Sequence, residues 1–150
     1  NCFIPALCKS RKLTTGGFLL RPATRQSGRF SGGLLLRRSQ ISDQLKITTG
    51  SLVATVGGSN NTNHFQLDAA AYPGNSGGPV LNSSGNLIGI LSAGIPGKEG
   101  FSFAIKSATL SRFLESHEAK FQTADIGPSM TAADIYEQAK RYTVLIRCLI

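Results

Sequence analysis

Asp68-Ala69-Ala70-Ala71-Tyr72-Pro73-Gly74-Asn75-Ser76-Gly77-Gly78-Pro79-Val80-Leu81 is the stretch whose reading decides the fold. It runs from strand-like residues through a Pro- and Gly-punctuated turn into a second apolar run. A serine between glycines is a weak signal, but this string is longer and its parts serve one purpose. An attacking hydroxyl has to stand on a tight turn, exposed to its target, with backbone N–H groups on the same turn aimed at the oxyanion that develops. Gly74 and Ser76 would supply those N–H groups. Gly77 and Gly78 permit backbone conformations that a Cβ would obstruct, and Pro79 fixes the exit into the next strand.

Working outward, Lys46 to Val56 is β-branched and partly alternating, which predicts a strand. Gly57 to Asn63 is a turn cluster, and His64 to Asp68 a short strand. Val80-Leu81, the turn Asn82 to Asn86, and Leu87 to Leu91 predict a hairpin. Ser92 to Gly100 reads as a loop and Gly100 to Ile105 as a last strand. Ser107 opens a helix with Leu110, Phe113 and Leu114 at helical spacing. Short strands closed by a helix predict a small antiparallel barrel, an all-β fold.

These residues resemble the nucleophile loop of trypsin-like serine proteases, in the form found in the HtrA-like branch. The resemblance covers about residues 43–118, including Gly89-Ile90-Leu91-Ser92-Ala93-Gly94, Phe101 to Ile105 and the closing helix. It implies the second six-stranded antiparallel barrel of such a protease, with a closing C-terminal helix. It implies Ser76 as nucleophile, Gly74 and Ser76 as oxyanion hole, and Ser92, Ala93 and Gly94 as the strand that pairs with an extended peptide. Ala70, six residues before Ser76, falls where trypsin carries a carboxylate for basic side chains, so the resemblance implies a pocket for small or apolar ones. Asp68 reads as a structural hydrogen-bonding group beside that pocket. The implied partner is a peptide or unfolded protein substrate.

The chain departs from the family pattern in one respect. The triad runs His, Asp, Ser along such chains, with the first two on the preceding barrel. Only His64 and His117 are present, and neither has the family's Ala-His or Gly-His context. The acids before Ser76 are Asp43 and Asp68, neither in a matching setting. The general base and its orienter are therefore expected on an N-terminal barrel that this sequence does not spell out. A serine without a base is a weak nucleophile. The expectation is an incomplete serine endopeptidase half, inactive alone; the alternative is a non-catalytic peptide-binding module, a pseudoprotease.

The net charge of +8 is uneven. Residues 1–38 hold eight Lys and Arg and no acid, and the remainder holds eight basic and eight acidic residues. The basic character belongs to an arm and not to the domain, which argues against nucleic-acid binding. The arm fits a disordered tail, an Arg- and Ser-rich transit segment, or out-of-frame sequence. The last is favoured, because the missing half should stand there. Phe3 to Leu7 is too short for a secretory core and contains Pro5. No apolar run reaches the roughly 18 residues of a membrane span. Cys2, Cys8 and Cys148 cannot close a disulfide framework and show no metal-type spacing, so no cofactor or metal is expected.

The expected organisation is a basic arm over 1–38, the half-domain over 41–118, a linker over 119–130, and a separable helix and strand over 131–150. Thr131 and Asp134 resemble a capping box for that helix. The strand at the end calls for a partner, so the polypeptide is expected to continue past Ile150.

Overall fold

The computed structural model describes residues 45–72, 75–95 and 98–143, with the backbone alone at Leu19–Leu20, Gly33–Leu35, Ala93, Ile95 and 98–100. The expected strand at 144–150 lies outside the described residues.

The fold is all-β, built on a seven-stranded, mostly antiparallel sheet. Its strands are β1 (Leu19–Leu20), β4 (Leu52–Ala54), β5 (His64–Leu67), β6 (Pro79–Leu81), β7 (Leu87–Ile95), β8 (Lys98–Lys106) and β9 (Gln122–Thr123). The order is β4-β5-β8-β7-β1-β9, with β6 also on β7. Among the described residues the sheet does not close on itself. A separate ribbon pairs β2 (Gly33–Leu35) with β3 (Lys46–Thr48). Among the described residues there are two α-helices, α1 (Ser107–Ser116) and α2 (Ala132–Lys140).

Two short strands fall within the basic arm. β1 runs parallel to β7 and β9, with Leu20 opposite Leu87 and Thr123, and β2 lies antiparallel to β3.

The predicted strand over Lys46 to Val56 is two strands with different partners. The break is at Gly50-Ser51. The Asp68 carboxylate accepts the Ser51 N–H, and the Asp68 N–H donates to the Ser51 carbonyl at 3.2 Å. A Cβ on Gly50 would fall 2.6 Å from the Ala69 nitrogen, so the approach needs glycine.

The predicted loop over Ser92 to Gly100 is mostly strand. β7 and β8 form one long hairpin, with Leu91 opposite Ala104, Ala93 opposite Phe103 and Gly94 opposite Ser102. The register shifts at Ser92, which is the extra residue of a bulge.

β6 is buried on both faces and separates two cores. Val80 joins Phe65, Leu67, Ala69, Leu91 and Ala104 in the first. Leu81 joins Leu87, Ile135 and Ala139 in the second, flanked by Leu110, Leu114, Met130, Tyr136 and Tyr142. Alternation along a strand sends neighbours to opposite faces, which is how one short strand serves both.

The second core brings the tail back onto the sheet. Residues 119–130, expected as a linker, run across the 82–86 turn. Met130 N–H donates to the Ser83 carbonyl at 2.8 Å, Ser84 Oγ to the Gly127 carbonyl at 2.7 Å, and Asn86 Nδ2 to the Asp125 carbonyl at 2.9 Å. α2 begins at the predicted cap: Thr131 Oγ1 accepts the Asp134 N–H at 3.2 Å and donates to the Asp134 carboxylate at 2.6 Å. It buries Ile135 and Ala139, one turn apart on the face that meets Leu81 and Leu87.

Candidate active site

The Ser76 turn is shaped by its backbone. Asn75 N–H donates to the Tyr72 carbonyl and Gly78 N–H to the Asn75 carbonyl, each at 3.0 Å. Gly77 has φ of +88°, a left-handed conformation, with open space where a Cβ would stand. Glycine is required there by the backbone angle and not by crowding. The turn is tied to β7 by Gly77 N–H to the Leu91 carbonyl at 2.7 Å and Leu91 N–H to the Gly78 carbonyl at 2.9 Å. Ser76 is exposed, while Asn75 beside it is only 1% exposed. Gly74, the other expected oxyanion donor, lies outside the described residues.

The wall leading to the turn is pinned from both sides. Thr48 Oγ1 donates to the Ala70 carbonyl at 3.3 Å, and the buried Ser102 hydroxyl donates to the Ala69 carbonyl at 2.7 Å. Ser102 was not singled out from sequence. Its signal would have been a polar residue among the apolar positions of β8. Asp68 pairs with Ser51, the structural role read for it. A Cβ on Gly94 would lie 3.3 Å from the Ala71 Cβ, so β7 packs directly against this wall.

Ser92, Ala93 and Gly94 continue β7 past the point where the Ser76 turn leaves it. β6 and the turn pair with β7 only up to Leu91, whereas Ala93 and Gly94 pair with β8. Among the described residues, the opposite edge of this segment carries no partner strand. The structure thus brings Ser76, Ala70 and the 92–94 edge to one end of the sheet.

The histidines are elsewhere. His64 is on β5, with β8 between it and β7, which puts it two strand spacings or about 10 Å from the strand that holds the Ser76 turn. Its Nδ1 is buried without a hydrogen bond. His117 caps the end of α1, its Nδ1 2.9 Å from the Phe113 carbonyl and 3.0 Å from Ser116 Oγ, its ring against Phe113. No hydrogen bond joins Ser76 to either histidine. Among the described residues no cluster of His, Cys, Asp and Glu could hold a metal, and no helix is long and apolar enough to cross a membrane.

The profile of the trypsin-like peptidase domain matches residues 11–90, which includes Ser76 and part of the basic arm. The chain belongs to this family. Over 70 residues it is 41% identical to an HtrA-like serine protease of Staphylococcus aureus, covering 44% of this chain and 9% of that protein. It is 29% identical over 111 residues to the uncharacterized protein y4bJ of Sinorhizobium fredii, covering 67% of this chain and 18% of that one. The chain thus spans less than a fifth of these curated relatives. Among solved structures, a serine endoprotease from Yersinia pestis superposes with a TM-score of 0.54 at 27% identity, covering 66% of this chain and 34% of its own. The HtrA-type protease AlgW, solved with a decapeptide, gives the same score and identity over 67% and 32%. These relatives place the chain on the HtrA-like branch.

Proposed function

We propose that this chain supplies the nucleophile and the substrate-binding strand of a trypsin-like serine endopeptidase. The observation that carries the proposal is an exposed Ser76 on a backbone-locked turn next to the open edge at Ser92–Gly94. An extended peptide would add to that edge as a strand, which aims its scissile carbonyl at the turn. Ser76 Oγ attacks the carbonyl carbon, and the N–H groups of Gly74 and Ser76 receive the oxyanion. The base that took the serine proton passes it to the amide nitrogen as the C–N bond breaks and the amine leaves, and water then hydrolyses the acyl-enzyme to free acid and serine. Ala70 lies on the wall beside Gly94's neighbour Ala71, and the all-alanine wall suits a small or apolar side chain. AlgW, bound to a decapeptide, supports a peptide as the ligand class.

The proton acceptor for Ser76 comes, in this proposal, from a barrel outside this chain, because neither His64 nor His117 stands beside the serine. The chain alone is then inactive. Incubation with a fluorophosphonate probe tests this: the isolated chain should give no Ser76 adduct beyond the background of a Ser76→Ala control. Rapid labelling of Ser76 would show that a base is present after all. That neither histidine bonds Ser76 equally favours a second reading, a peptide-binding module without catalysis. Peptide capture that survives Ser76→Ala in a protein that never labels would select it.

A further inference from the structure

We infer that Asn60 is an acceptor for an N-linked glycan, with an oligosaccharide carried on a polyprenyl diphosphate as the donor. Asparagine two residues before serine or threonine is the sequence that oligosaccharyltransferases modify. The chain spells it twice, as Asn60-Asn61-Thr62 and as Asn82-Ser83-Ser84. The fold treats the two oppositely. Asn82 is 6% exposed, and its Oδ1 accepts the N–H groups of Ser84 at 3.0 Å and Asn86 at 2.9 Å, so its carboxamide is held inside the turn. Asn60 and Thr62 stand exposed between β4 and β5, and neither side chain has a hydrogen bond among the described residues.

The neighbouring asparagines are occupied. Asn61 Oδ1 accepts the Asn63 N–H at 3.0 Å, and Asn63 Oδ1 accepts the Thr109 hydroxyl at 3.3 Å. The backbone closes the turn, through Gly57 N–H to the Asn61 carbonyl at 2.8 Å and Asn61 N–H to the Gly58 carbonyl at 3.2 Å. Asn60 has φ of +59°, where asparagine is favoured, but Ser59 beside it holds +53°, and nothing in the turn calls for a hydroxyl at Thr62. The site also stands clear of the peptide edge. The turn enters β5 at His64, opposite Ile105, whereas Gly94 faces Ser102, which lies opposite Leu67, about 10 Å further along β5. The turn follows β4, an end strand of the sheet among the described residues, whose Val53 is 54% exposed. A bulky polar cover there would guard that edge from other chains.

In the transfer, Asn60 Nδ2 bonds to the anomeric carbon of the sugar as the bond from that carbon to the diphosphate oxygen breaks. The polyprenyl diphosphate leaves with the electron pair, and a base of the transferase takes the amide proton. The test uses the folded 150-residue chain. It is incubated with an oligosaccharyltransferase that acts on Asn-x-Thr and a polyprenyl-diphosphate-linked chitobiose, with an unrelated Asn-x-Thr peptide as the control for activity. Intact mass and peptide mapping should show one glycan, on Asn60, lost completely in Asn60→Gln and in Thr62→Ala. No adduct on the folded chain, an adduct that survives Thr62→Ala, or modification of Asn82 in the folded chain would overturn the inference.

Discussion

β6 runs between two turns, and each buries asparagine. At its far end, the 82–86 turn satisfies every one: Asn82 bonds two backbone N–H groups, and Asn86 and Ser84 bond the returning tail. At its near end, Asn75 is buried as deeply and its side chain has no hydrogen-bond partner among the described residues. The far turn is also covered, with Ile135 and Ala139 of α2 over Leu81 and Leu87, while the near turn leaves Ser76 bare. A turn whose polar groups are all met serves stability. The near turn instead exposes the hydroxyl that the proposed function requires.

If the far turn is the stable one, its changes should be the most damaging. Ile135→Ala should cost about 2–5 kcal/mol in urea unfolding, because it opens a cavity against a fully buried Leu81. A cost near zero would mean that α2 does not dock as described. Asn82→Ala should cost about 1–3 kcal/mol by the same measurement, since two N–H groups of the turn lose their acceptor. At the near turn, Gly77→Ala should cost about 1–2 kcal/mol from left-handed strain alone, as nothing stands in the way of the methyl group.

Tyr142, against the second core, carries a pH dependence. Burial raises its phenol to about 12 from the usual 10.0. A raised folded value means that its contribution is complete below pH 10 and is lost as the pH climbs toward 12. Unfolding measured between those limits should show a loss of stability that Tyr142→Phe removes. The smallest effect is expected for Ser76→Ala, which touches an exposed side chain with no hydrogen bond among the described residues. Its stability should stay within about 0.5 kcal/mol of the parent.

Much of the near turn was legible. Its glycines, proline and serine each carry a local requirement, so the order Pro-Gly-Asn-Ser-Gly-Gly-Pro announces a tight, exposed hydroxyl. The Thr131 cap was legible for the same reason, since capping is settled within one helical turn. The length of β7 and β8 was not. Ser92, Ala93 and Gly94 show no apolar alternation, and their pairing is made by backbone groups that every residue has. The split at Gly50-Ser51 was hidden too, because its cause is Asp68, seventeen residues from Ser51.

The sequence by itself determined the all-β class, the family, the serine at the exposed position and the helix starts, because each depends on local periodicity, turn chemistry or a contiguous motif. Only the tertiary structure decided that the tail closes over the 82–86 turn, that both histidines stand apart from Ser76, and that Asn75 is buried without a partner. Those facts depend on which distant surfaces meet. The spacing of Ile135 and Ala139 shows that a helix has an apolar face, but not which strand that face will cover.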